Sequence, residues 1–256
     1  MKGSATIPLR SGFAASVVRQ RIERSGEKLW RIQDFRDLPV TAVAQALSRL
    51  TRQGALERLS KGIYCRTRET AFGKSRPNPA DIQKLAARNK TIFPSGIAAA
   101  NLLGLSTQTA KHGEVATSAR SLPRKLMGEH TVIHTRRPEA WAHLSPAEGA
   151  LLDFLRRGGK TSEMSPERTV HRTIKLLSEN DRFKHLLKVA PSEPPRVRAI
   201  LGALGEQLGA PPAPLRRLRD SLNPLSRFDF GLFAALPHAH KWQAKERRVS
   251  SPRADA

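Results

Sequence analysis

Acidic, cysteine and aromatic residues are all scarce in this 256-residue sequence. The 22 Asp and Glu stand against 45 Lys and Arg, which gives a formal net charge of +23. The single cysteine, Cys65, excludes a disulfide framework and any zinc site built from several cysteines. A chain with so little cysteine is typical of a reducing cytosol, and we expect a cytoplasmic protein.

Long apolar runs are missing as well. The longest one, from Ile97 to Leu105, is interrupted by Asn101 and Gly104. It is much shorter than the roughly 20 residues that a helix needs to cross a bilayer. Pro8, Arg10 and Gly12 interrupt the start of the chain, where a secretory signal would be continuously apolar. We therefore expect no membrane partner and no secretion.

The positive charge is concentrated at the N-terminal end. Residues 1–76 hold 16 basic and 6 acidic side chains, nearly half of the total excess. A field of this sign attracts polyanions and opposes compaction, so it favours a nucleic-acid partner over a merely basic surface.

The order of predicted elements in the first seventy residues is typical of a winged helix-turn-helix. A helix is followed by a short strand, two more helices and a hairpin that turns at Lys61-Gly62. Asp34 is expected to cap the second helix and Thr41 the third. The expected elements are Phe13 to Arg24, Trp30 to Ile32, Asp34 to Leu38, Thr41 to Gln53, Ala55 to Ser60 and Ile63 to Thr67.

The third of these helices separates into two faces. An apolar stripe is expected to pack against the first helix, and it consists of Val40, Val43, Leu47 and Leu50. The opposite face carries small residues, an amide and two guanidinium groups without any carboxylate, which suits insertion into a DNA major groove. The candidate base-reading residues are Thr41, Gln45, Ser48, Arg49 and Arg52. The alternative for the two arginines is a solvated helix face.

Basic residues outside this helix are candidates for phosphate contacts. On the hairpin, or wing, they are Arg58, Lys61, Arg66 and Arg68. A further nucleic-acid track is expected in the second domain, from Arg120, Arg124, Lys125, Arg136 and Arg137.

Two stretches resemble the AbiEi-type antitoxins of type IV toxin–antitoxin, or abortive-infection, systems. The first runs from Val43 to Tyr64 and has leucines three apart, a glycine, an apolar-basic strand and Lys-Gly-Ile-Tyr. The second, Phe93 to Leu105, is a small-residue helix that ends in Gly104-Leu105. Motifs of this resemblance span roughly residues 13 to 135.

The resemblance implies a bacterial, sequence-specific DNA-binding repressor. Such a protein would bind inverted repeats in the promoter of its own operon and neutralise a nucleotidyltransferase-type toxin. Whether it touches that toxin is left open by the resemblance. We expect a monomer in solution that binds double-stranded DNA cooperatively.

These patterns predict an α+β protein with an N-terminal winged helix-turn-helix and a mixed α/β, helix-rich second domain. The predicted boundaries are a DNA-binding domain at 1–70, a linker at 71–80, an antitoxin-type domain at 81–243 and a disordered basic tail at 244–256.

No catalytic motif is apparent in the chain. It lacks a phosphate-binding Gly-x-x-x-x-Gly-Lys-Ser/Thr loop and a paired Asp-x-Asp for two metal ions. His238 and His240 have no recognisable third metal ligand. We expect no enzyme activity, no cofactor and no metal. The alternatives are an RNA- or ribosome-associated protein that does not read sequence and, less favoured, a nuclease.

Overall fold

The chain divides into two compact units, each with its own core. A computed structural model describes residues 11–25, 29–66, 69–70, 73–74, 82, 91–122, 124–128 and 130–246. Unit 1 comprises Met1–Arg88 and Leu122–Glu129, and unit 2 comprises Asn89–Ser121 and His130–Ala256. The protein is α+β, as the sequence predicted. No helix within these described ranges combines the length and the apolar character that crossing a membrane requires.

Unit 1 follows the predicted order of a winged helix-turn-helix. Its second helix is a single 3-10 turn, Ile32–Phe35. The other elements are α1 (Ser11–Arg24), β1 (Leu29–Arg31), α2 (Val40–Arg52), β2 (Glu57–Ser60), β3 (Ile63–Cys65), β4 (Glu69–Thr70) and β5 (Gly73–Lys74).

The three-stranded sheet of unit 1 has the order β1-β3-β2, and both pairings are antiparallel. Tyr64 lies at its centre, opposite Trp30 on one side and Arg58 on the other. Cys65 is therefore also on the central strand. The core beneath the sheet includes Val18, Leu47 and the stacked rings of Trp30 and Phe35.

Several local expectations for unit 1 were wrong. Pro39 precedes the first turn of α2, so Thr41 lies inside the helix and does not cap it. Val40 is 66% exposed, and Ala46 completes the buried stripe in its place. Val40 is the first residue of the helix, where spacing alone does not decide burial. Asp34 is the third residue of the 3-10 turn, where its carboxylate accepts a hydrogen bond from the Arg31 backbone.

A short segment far along the chain belongs to unit 1. The one-turn helix Arg124–Met127 contacts β2, and Leu126 is buried against Ile63. The predicted boundaries placed this segment in the second domain, at 81–243. Most of the expected linker at 71–80 lies outside the described residues.

Unit 2 combines a small sheet with a layer of helices. In the sheet β6 (Ile92–Pro94) is antiparallel to β7 (Glu114–Thr117), which is parallel to β8 (Val132–His134). The helices are α3 (Gly96–Leu102), α4 (Pro146–Arg156), α5 (Pro166–Ser178), α6 (Arg182–Val189), α7 (Pro195–Gln207) and α8 (Pro212–Asp220).

Helix α4 passes through the core of unit 2 and begins at a capping box. The Ser145 hydroxyl accepts the Glu148 backbone N–H, and the Glu148 carboxylate accepts that of Ser145. Phe154, Trp141 and Trp242 are all buried in this core. Phe228 pairs with Ala244 in an isolated bridge. Unit 2 therefore extends past residue 243, where the basic tail was expected to begin.

Candidate nucleic-acid interface

One face of α2 is exposed, polar and without carboxylates. Thr41, Gln45, Arg49 and Arg52 are exposed, and Ser48 is half-buried among them. The opposite face packs against α1 through Val43, Leu47 and Leu50. This division follows from a helical period of 3.6 residues, and it places all five candidate base-reading residues on the side away from the core.

The C-terminal end of this face is partly organised by side-chain hydrogen bonds. A terminal nitrogen of Arg52 lies 3.5 Å from the Ser48 hydroxyl, and a terminal nitrogen of Arg19 donates to the Gln53 side-chain carbonyl across 2.8 Å. Gln45 and Arg49 are exposed nearer the middle of the helix. Gln and Arg are the side chains whose paired donors and acceptors match adenine and guanine edges.

The wing adds positive charge beside α2. Arg58 and Lys61 are exposed, and Arg58 makes a long hydrogen bond of 3.4 Å to the Ser60 carbonyl. Gly62 has a φ of +74°, a conformation that lets the two wing strands turn back tightly. The two exposed cations are therefore held on a short, constrained hairpin.

Arg66 has a different partner from the one expected. Its guanidinium donates to the Glu23 carbonyl across 2.8 Å, near the C-terminal end of α1. There it satisfies a carbonyl that the helix leaves without a backbone donor. This contact ties the wing to α1. Arg68, the fourth wing residue, lies outside the described residues.

The second track of basic residues is split between the two units. Arg124 and Lys125 lie in the helix that packs on unit 1, whereas Arg120, Arg136 and Arg137 lie in unit 2. Arg120 and Arg136 are exposed. Arg137 is not, because its side chain is only 16% exposed and forms an ion pair with Asp153 across 3.0 Å.

Comparisons with known proteins give limited matches. The profile of a family described as "Family of unknown function (DUF6088)" matches residues 20–133. The crystal structure of the RV2827C protein from Mycobacterium tuberculosis is similar in fold, with a TM-score of 0.47 and 17% sequence identity. That similarity covers 88% of this chain and 85% of the other. No curated protein matches the sequence.

A buried ionic cluster in unit 2 was not predicted from the sequence. Asp153, whose side chain is 1% exposed, accepts the Ser95 hydroxyl at 2.9 Å, the Gly96 backbone N–H at 3.1 Å and Nε of Arg157 at 2.9 Å. Arg137 provides a fourth donor. Burial opposes ionisation of Asp153, but Arg157 and the N–H and O–H donors outweigh it and lower its pKa.

This cluster continues to the sheet of unit 2. Arg157 also donates to the Glu114 carboxylate, and Nε2 of His134 lies 2.6 Å from the same carboxylate. Asp153 and Arg157 are four residues apart, which is a recognisable spacing for an ion pair on a helix. Such a spacing is common on exposed helix faces, so it did not single out these two residues.

His238, one of the two histidines considered as metal ligands, is close to a carboxylate. Nδ1 of His238 lies 3.3 Å from a carboxylate oxygen of Glu206. Within the part of the chain that the structure describes, no group of three or more His, Cys, Asp or Glu side chains is arranged to hold a metal ion.

Proposed function

We propose that this protein binds duplex DNA through α2 and the wing and represses transcription from its own promoter. The observation that carries the proposal is the exposed, carboxylate-free face of α2, with Gln45 and Arg49 on the side opposite the core. Recognition helices of helix-turn-helix proteins present such a face to base edges, and basic residues nearby bind the flanking phosphates.

The charge of the whole chain supports the same proposal. A net charge of +23 raises the local concentration of any nucleic acid and strengthens binding that does not depend on sequence. Charge alone does not distinguish one base sequence from another. The face of α2 adds side chains whose hydrogen-bond donors and acceptors are directional. Binding should therefore have a specific part that survives added salt better than the nonspecific part.

The test is a comparison of two duplexes of equal length, one from the DNA upstream of the protein's own coding sequence and one of random sequence. Binding is measured by fluorescence anisotropy across a salt series, with footprinting on the upstream DNA. A footprint over inverted repeats that persists with competitor DNA supports the proposal. Equal affinity for the two duplexes, with both lost as salt rises, contradicts it.

An RNA partner is the competing outcome of the same experiment. A structured RNA of equal length is added as a third ligand, and substitutions of Gln45 and Ser48 are compared on all three. Affinity for RNA at least equal to that for the upstream DNA, with no effect of the two substitutions, would favour an RNA-binding protein that does not read sequence.

The resemblance of residues 43–64 and 93–105 to AbiEi-type antitoxins extends this proposal to toxin neutralisation. The expected partner is a nucleotidyltransferase-type toxin whose gene lies next to this one. Expressing the neighbouring gene with and without this protein tests the extension through cell growth. The extension fails if the neighbouring product is harmless, whereas the DNA-binding proposal is judged only by the duplex comparison.

A further inference from the structure

A small pocket in unit 2 is lined mainly by cationic side chains. Its volume is about 300 Å³, at the lower end for ligand sites. Four guanidinium groups and one imidazole line it, with a single carboxylate. The lining residues are His134, Arg137, Asp153, Arg156, Arg157, Pro194, Arg196 and Val197.

Buried carboxylates hold these arginines in place from one side. Asp153 binds Arg137 and Arg157, and Glu193, whose side chain is 0% exposed, accepts Nε of Arg156 across 2.7 Å. Glu193 also accepts the indole N–H of Trp141 across 2.6 Å. These hydrogen bonds fix the guanidinium groups before any ligand arrives, which reduces the entropy lost on binding.

Trp141 orients two of the arginines further. The guanidinium carbons of Arg137 and Arg156 lie 5.6 Å and 5.3 Å from its ring centroid, within the range of cation–π attraction. Both cations are thereby held close to each other around one aromatic ring. Burial, together with the charge of Arg156, lowers the pKa of Arg137.

The cationic groups outnumber their carboxylate partners. Arg137, Arg156 and Arg157 have ion-pair partners in Asp153, Glu193 and Glu114. Arg196 lies within 4.0 Å of no carboxylate among the described residues, and it donates to the Arg156 carbonyl oxygen. Its charge acts at longer range on Asp229, whose pKa is lowered by the Gly231 backbone N–H, Lys160 and Arg196. The Nε atom of Arg137 is buried and has no hydrogen-bond partner in the described structure.

We propose that this pocket binds a phosphate group. Guanidinium groups match the oxygens of phosphate in pairs, and a dianion with several oxygens can use donors that one carboxylate leaves unpaired. The pocket is built from residues of unit 2 and the face of α2 from residues of unit 1, so the two proposals are tested by different substitutions. The phosphate can come from a free anion such as inorganic phosphate or from the 5′ end of a nucleic acid, and both supply the same chemistry.

Arg196 is the residue to substitute, because it belongs to the pocket but not to the buried ion pairs. Arg196→Gln removes a cation and leaves Asp153 and Glu193 with all of their partners. The matched control is Arg168→Gln, which removes the same charge from an exposed position at the start of α5. Circular dichroism and thermal unfolding establish that both variants are folded as the wild type is.

The first measurement is calorimetric titration of the full chain with inorganic phosphate at constant ionic strength, with chloride as the reference anion. We expect saturable binding to the wild type and to Arg168→Gln, and at least about tenfold weaker binding to Arg196→Gln. No binding beyond that of chloride, or equal affinity in the two variants, would overturn the proposal.

The second measurement separates the two sources of phosphate. A short single-stranded oligonucleotide is prepared with a 5′-phosphate and with a 5′-hydroxyl. Each form is titrated into the Arg49→Ala variant, in which binding through α2 is reduced, and into the same variant carrying Arg196→Gln as well. If Arg196→Gln abolishes a preference for the 5′-phosphate, the ligand is a nucleic-acid end. If the two forms bind equally while inorganic phosphate still binds through Arg196, the ligand is a free phosphate compound.

Discussion

Nε of Arg157 donates a hydrogen bond to Oδ2 of Asp153, one helical turn earlier, across 2.9 Å. Asp153 lies in the last turn of α4 and Arg157 directly follows the helix. Asp153 also joins this helix to Ser95 and Gly96 at the start of α3. Arg157 extends the connection to Glu114 on β7. One buried carboxylate thus links two helices and the sheet of unit 2, so its removal should affect the stability of the whole unit.

We expect Asp153→Asn to lower the free energy of unfolding by about 3–5 kcal/mol, because it leaves the charges of Arg137 and Arg157 without their buried partner. The measurement is urea unfolding followed by circular dichroism. Asp220→Asn, an exposed change of the same kind at the end of α8, is the control and should have a small effect. If Asp153→Asn lowers the free energy of unfolding as little as Asp220→Asn does, the ionic cluster contributes little to folding.

The same carboxylate predicts an acid dependence of stability. The pKa of Asp153 in the folded protein lies below the ordinary value of 3.8. Its contribution is therefore complete above about pH 5 and is lost as the pH falls through about 4 towards the lowered pKa. Urea midpoints measured from pH 7 to pH 3 should fall more steeply for the wild type than for Asp153→Asn. Parallel curves would contradict this assignment.

Gly96 should not tolerate a side chain. It has a φ of +58°, and a Cβ there would overlap the Glu114 carboxylate. We expect Gly96→Ala to cost about 2–4 kcal/mol from the combined backbone strain and displacement of Glu114. Gly209 has a φ of +66°, but a Cβ at that position would have no neighbouring atom within 4 Å, so Gly209→Ala should cost only about 1–2 kcal/mol. Thermal unfolding of Gly96→Ala and Gly209→Ala measures both losses of stability.

Cys65 should react slowly in the folded protein. Burial, with a smaller effect of the nearby Glu57 charge, raises the pKa of its thiol to about 11 from 9.0. The raised pKa reduces the thiolate fraction about 100-fold near pH 8, and burial further limits the access of a reagent to the sulfur atom. Since this is the single cysteine, labelling with a thiol reagent in buffer and in denaturant reports on it directly. Equal rates in the two conditions would show that Cys65 is accessible.

The two parts of the proposed DNA interface should respond differently to substitution. Arg49→Ala is expected to weaken binding to the upstream duplex by about 1–3 kcal/mol and to relax specificity at one base pair. Lys61→Ala should weaken binding to every duplex alike and lower the salt slope by about one. Arg168→Ala in unit 2 is the control for lost charge. Equal losses on specific and random DNA for Arg49→Ala would exclude base reading by that residue.

The first seventy residues were largely predictable because their signals are local. The spacing of Val43, Leu47 and Leu50 identified the buried face of α2, and Gly62 marked the turn of the wing. Errors occurred at element ends, where periodicity does not decide burial. Val40 fits the apolar stripe by spacing, yet it is 66% exposed as the first residue of α2.

The ionic cluster of unit 2 was not predictable in the same way. Asp153 and Ser95 are 58 residues apart, and no repeat or motif connects them. Nothing in the sequence separates Arg137 from the four other basic residues of the expected track, so it was expected to be a surface cation. Its burial comes from tertiary contacts with Trp141 and Asp153, which its neighbours in the sequence do not reveal.

By itself, the sequence determined the α+β class, the order of elements in unit 1 and the polar face of α2, since these follow from periodicity, turn residues and charge within short windows. Tertiary structure alone decided that the helix Arg124–Met127 packs on unit 1 and that four arginines surround one pocket in unit 2. The physical reason is that burial of an apolar side chain such as Leu126, and ion pairing in a core, depend on residues that are distant in the chain.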